Sequence, residues 1–151
     1  MKKALFLIAA ASTFGLASPV LLAHTDDVLD TQKAPNGGQL RMAGVYHYEL
    51  VVAKDSKEAK DNAVVVYVTD HAGIKVPTTG VSGMATIMAG KSKATATLIP
   101  DGDNRLKGTA KYVSVPDMKV VVSITFPGKA AEQARFTPLA AAKDGHTDHK
   151  H

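Results

Sequence analysis

The chain carries six histidines and five methionines but no cysteine. Its densest group of donor side chains lies at 144–151, where His146, His149 and His151 are interleaved with Asp144 and Asp148. Imidazole is the commonest protein ligand for Zn(II), Cu(II) and Ni(II), and close spacing lowers the entropic cost of closing a chelate. Such a tail would capture ions at neutral pH and release them below about pH 6, as the rings become charged. The plainer reading of the same residues is a solvated terminus that meets metal only incidentally. The intervening Thr147, Asp148 and Lys150 distinguish it from an affinity-tag run.

His24 becomes a candidate through the residues before it. Met1–Lys3 is a short basic start, Ala4–Leu16 an almost unbroken apolar run, and Pro19 leads into Leu21, Leu22 and Ala23. That is the pattern of a secretory leader with a small residue at the cut. Cleavage after Ala23 would leave His24 at the N-terminus, where its amino and ring nitrogens could chelate one Cu(II) in a histidine brace, with Asp26 and Asp27 close by. Any other cut places that nitrogen in a peptide bond, and His24 is then simply part of a mobile arm.

Two histidines, His47 and His71, fall inside the patterned region. His47 shares a strand face with Glu49, and His71 follows Asp70 at a turn. A carboxylate beside each imidazole could fix its tautomer, as partners of metal-ligating histidines do. The ordinary alternative is a surface histidine on a strand and a turn histidine bonded to backbone. The methionines add a copper-specific element, because thioether sulfur prefers Cu(I) to harder ions and persists where thiols would oxidise. Met84 and Met88 lie four apart on one expected strand and face the same way, with Met42 elsewhere; if all three shared a surface with His47, a Cu(I) site would follow. Methionine in a β-protein is more often core filler, and Met118 continues an apolar face. The expected ion is therefore copper, with zinc the alternative, and no organic cofactor is expected.

The elements that must position these residues are short strands. From Asn36 to Pro138 the sequence consists of alternating, β-branched runs broken by Gly, Pro, Asn and Asp, the habit of an all-β sandwich or barrel. Seven to eight strands are expected, at 38–42, 45–53, 63–69, 83–89, 94–99, 105–113, 118–126 and 132–137. The second should place Tyr46, Tyr48, Leu50 and Val52 on one face and His47, Glu49 and Val51 on the other. The third, apolar on both faces, should be central. Lys54–Asn62 reads as a polar connection with room for one helical turn, and Gly90-Lys91 as a hairpin turn. The division is a leader at 1–23, a flexible N-terminal arm at 24–35, the β-domain at 36–138 and a His-rich tail at 139–151.

Composition excludes several function classes. Without cysteine there is no disulfide, no thiolate chemistry and no Cys-based zinc site. The formal charge of +4 loses two when Lys2 and Lys3 leave with the leader. The remaining basic residues are scattered and aromatics are few, so nucleic acid is not an expected partner. No run after the leader approaches about 18 apolar residues, so no membrane insertion is expected after cleavage. The G-x-S-x-G elbow, the H-E-x-x-H motif and the P-loop are all missing, and the protein is not expected to be an enzyme.

The segments GGQLRMAGVYHYELVV (37–52), VYVTDHAGIKVP (66–77), ATATLIPDGDNRLKG (94–108) and KVVVSITFPGKAAEQARFTP (119–138) carry a resemblance. Over about 37–138 the chain resembles a family of small secreted bacterial β-sandwich domains associated with heavy-metal, chiefly copper, efflux and resistance systems. The resemblance implies an immunoglobulin-like β-sandwich in the periplasm that binds metal or serves an efflux complex. Two functions follow as expectations. One is a periplasmic metal-binding protein acting as buffer, carrier or feeder for an efflux system. The alternative is a non-catalytic interaction module that docks on an efflux or envelope component, using the strand face of His47 and the Gly90-Lys91 hairpin.

Overall fold

The computed structural model describes residues 25–141. One short helix, α1 (Asp26–Asp30), precedes eight strands: β1 (Gln39–Ala43), β2 (Tyr46–Val52), β3 (Lys60–Asp70), β4 (Ser82–Ala89), β5 (Ser92–Pro100), β6 (Arg105–Tyr112), β7 (Lys119–Thr125) and β8 (Glu132–Phe136). All neighbouring strands are antiparallel, in the order β1-β2-β3-β6-β5-β4-β7-β8. The sheet bends sharply at β5–β6, where Ile99↔Lys107 and Pro100↔Leu106 are the register pairs. The far edges then meet: the Thr137 N–H donates to Gln39 Oε1 at 2.8 Å, joining the end of β8 to β1. The result is an all-β, eight-stranded antiparallel sheet curled into a nearly closed barrel.

Alternation along the strands fills its interior. On β2, Tyr46, Tyr48, Leu50 and Val52 turn inward and are buried, as expected from their spacing. Val64, Val66 and Val68 of β3, Leu98 of β5, Leu106 of β6 and Val120, Val122 and Ile124 of β7 meet them in one cluster. Met118 is fully buried in that cluster. β3 lies between β2 and β6, a central strand as expected, with Val64, Val66 and Val68 buried and Val65, Tyr67 and Thr69 half-buried on the outer face.

The structure departs from the sequence reading in two segments. Residues 54–62 form no helix; β3 instead begins at Lys60. Buried polar bonds fix this corner, since Asn62 Nδ2 donates to Ser56 Oγ and to the Tyr112 carbonyl, both at 2.8 Å. The segment expected as a flexible arm is laid against the barrel. Leu29 is 1% exposed and Ala34 is buried, so the arm contributes apolar surface of its own. Arg41 Nη1 reaches Asp30 Oδ1 at 2.6 Å, tying α1 to β1. No helix among the described residues is long and apolar enough to cross a membrane.

Candidate functional site

His47 lies on the outer face of β2, and the register sets it between Met42 of β1 and Thr69 of β3. The adjacent row on that face is Leu40, Glu49 and Tyr67. His71 belongs to the loop after β3. That loop is closed by a bridge between Thr69 and Lys75 and held by the Asp70 side chain, whose Oδ1 accepts the Ala72 N–H at 2.9 Å and the Ile74 N–H at 2.8 Å. Gly73 takes a left-handed φ of 78° within it, a conformation a side chain would strain. The loop thereby returns His71 over the sheet. The two imidazoles, 24 positions apart in the chain, stack with centroids 4.9 Å apart and planes 25° apart. Both Nε2 atoms are buried.

The arm supplies the facing wall. Gln32, Lys33, Pro35 and Asn36 enclose, with the sheet face and the His71 loop, a cavity of about 470 Å³. Glu49 fastens this wall: its Oε1 accepts the Asn36 N–H at 2.8 Å and the Gly38 N–H at 3.0 Å, and its Oε2 accepts Asn36 Nδ2 at 2.9 Å. A side chain at Gly38 would strike the Leu50 carbonyl, so glycine is what lets the arm approach β2 this closely. Both carboxylates expected to support the histidines, Glu49 and Asp70, are thus engaged with backbone N–H groups and, for Glu49, also with the Asn36 amide. The described residues contain no cluster of three or more His, Asp or Glu side chains of metal-binding geometry.

The other candidates divide by location. Met42 shares the outer face with His47 and neighbours it across β1–β2. Met84 and Met88 are on the outer face of the opposite half, on β4, 50% and 37% exposed. Four residues of strand separate them by about 13 Å, too far to share one ion. The surface that would unite all three methionines with His47 is therefore split between the two halves. His24, His146, His149 and His151 lie outside the described residues.

Reasoning from the sequence overlooked the cavity's remaining walls: Lys33 on the arm, Tyr67 on β3 and Lys75 beyond the loop. The alternation of β3 marked Tyr67 as sharing a face with Thr69, but nothing local showed that the arm would cover it. Comparison with known protein families, with characterised proteins and with solved structures finds no match to this chain.

Proposed function

We propose that this is a periplasmic metal-binding protein, copper favoured over zinc, which buffers, carries or delivers ions to a heavy-metal efflux system. The observation that carries the reading is the stacked pair His47–His71, two imidazoles with buried Nε2 atoms at one wall of a cavity. Imidazole nitrogens suit copper and zinc alike, and the Met42 thioether beside His47 tilts the preference toward Cu(I). The tail histidines His146, His149 and His151 would act as a capture segment that passes ions to this pair. For the fold, the four strands β1-β2-β3-β6 followed by β5-β4-β7-β8, with β3→β4 and β6→β7 crossing between the halves, support an immunoglobulin-like sandwich.

The test is a competition titration of the processed full chain with Cu(I) under reductant and with Zn(II), compared with the variant H47A/H71A. Loss of one tight equivalent in the variant, with the weaker tail equivalents retained, is the expected result. Equal stoichiometry and affinity in both proteins would overturn the assignment.

The alternative, a docking module, has one specific observation in its favour. The outward residues of β4, β5, β7 and β8 include exposed Met84 and Met88 and the cations Lys93, Lys119 and Arg135, and the register puts no carboxylate among them. On that reading removal of the residues after Pro138 would leave function intact, and charge reversal at Lys93 and Lys119, beside the Gly90-Lys91 hairpin, would abolish it.

A further inference from the structure

The cavity beside the histidine pair is far larger than an ion requires. A bound water occupies about 30 Å³, whereas pockets for small organic ligands begin at about 300 Å³; this one measures about 470 Å³. Its walls are also chemically uneven. Leu40, Pro35 and Tyr67 give apolar surface, and two cationic residues, Lys33 and Lys75, are among the lining residues at its rim. The nearest acid to Lys75 is Asp103, at 3.9 Å with both side chains mostly exposed, a contact that solvent screens heavily. The one carboxylate on the cavity wall, Glu49, already accepts three hydrogen bonds from the arm. The cavity therefore offers two imidazoles for a metal and two cations for an anion. Two imidazoles also leave coordination positions open on a four-coordinate ion.

Building on the metal-handling reading, we infer that a divalent ion at His47–His71, Zn(II) or Cu(II), is bound together with a small exogenous carboxylate. The cargo is then a metal–carboxylate complex and not a bare ion. The carboxylate oxygens would complete the coordination shell, Lys33 and Lys75 would balance the anion's charge, and the apolar walls would accept its carbon skeleton. Ion and anion then bind cooperatively, each raising the other's affinity by the same factor.

The experiment uses the ¹⁵N-labelled full chain, Zn(II) as a diamagnetic ion at buffered free concentration, and malonate as the anion. The amide signals of Thr69, His71, Gly73 and Asn104 report on the cavity separately from the tail. Malonate should raise the zinc affinity read at these signals about ten-fold in the wild type. The variant K33Q/K75Q should bind zinc as tightly as wild type without malonate and lose most of that gain. Zinc binding at the cavity that malonate leaves unchanged, or an equal gain in the variant, would overturn this inference alone. Zinc that shifts none of these signals, with or without malonate, would overturn the metal assignment of the cavity and this inference with it.

Discussion

At the scale of single residues, Glu49 has a different task from the one its position beside His47 suggests. It shares the outer face of β2 with His47, yet its two oxygens are engaged by Asn36 and Gly38. Hydrogen bonds to an ionised, buried acceptor are about twice as strong as neutral ones, and an unmet buried donor costs about 1–3 kcal/mol. Replacing Glu49 by Gln presents an amide nitrogen to at least one of those donors. We predict that E49Q lowers the unfolding free energy by about 2 kcal/mol in urea titrations and weakens metal binding at His47–His71 by unfastening the cavity wall. Unchanged stability would show that Leu29 and the Arg41 ion pairs hold the arm without Glu49. Asp70 is comparable: its position beside His71 marks a metal partner or a turn, and its bonds to the Ala72 and Ile74 N–H groups show the turn. A polar residue next to a histidine does not reveal in sequence which donor will reach it first.

At the scale of elements, the arm is the piece that converts a strand face into a cavity. The stretch from Thr25 to Pro35 has no sustained periodicity, and α1 is only five residues long, too short to persist on its own. Its order comes from Leu29, from the ion pairs of Arg41 with Asp30 and Asp26, and from Glu49. Leu29→Ala should therefore cost about 2–4 kcal/mol locally. The expected signature is faster hydrogen exchange at amides 31–36, with the centres of β3 and β7 retaining their protection. Uniformly faster exchange across all strands would instead make the arm part of the global folding unit. The strands themselves were legible, because a period of two with β-branched residues survives any tertiary context that buries one face. The start of β3 at Lys60 was not, because Lys60, Asp61 and Asn62 are polar and join the sheet through backbone pairing with β6.

At the scale of the whole molecule, the absence of cysteine leaves the barrel dependent on burial and on buried hydrogen bonds. Two tyrosines in that interior make its stability sensitive to alkali. Burial, and secondarily the charge of Glu132, push the Tyr48 hydroxyl well above its ordinary value; burial likewise raises Tyr112, whose hydroxyl donates to the Ala63 carbonyl at 2.6 Å. The native state keeps these protons when the unfolded chain begins to release them, above about pH 10. The unfolded state then binds fewer protons, so unfolding free energy falls as pH rises, with a slope approaching about 1.4 kcal/mol per pH unit for each tyrosine. Y48F should reduce that slope in urea titrations between about pH 10 and 11.5; an unaltered slope would place the effect elsewhere.

The sequence by itself determined the all-β class, a range of seven to eight strands and the inward and outward sides of β2, because those depend on local alternation and on turn residues. It also singled out His47, His71 and Met42 as donors, because that depends on side-chain chemistry. Only the tertiary structure decided that His47 and His71 stack on each other, that Met42 stands beside His47 while Met84 and Met88 occupy the opposite half, and that the arm closes a cavity over them. Those are relations between side chains 5, 11 to 13 and 24 positions apart, or between sheet halves. They follow from register, from the β5–β6 bend and from three hydrogen bonds to one carboxylate, none of which leaves a periodic trace in the sequence.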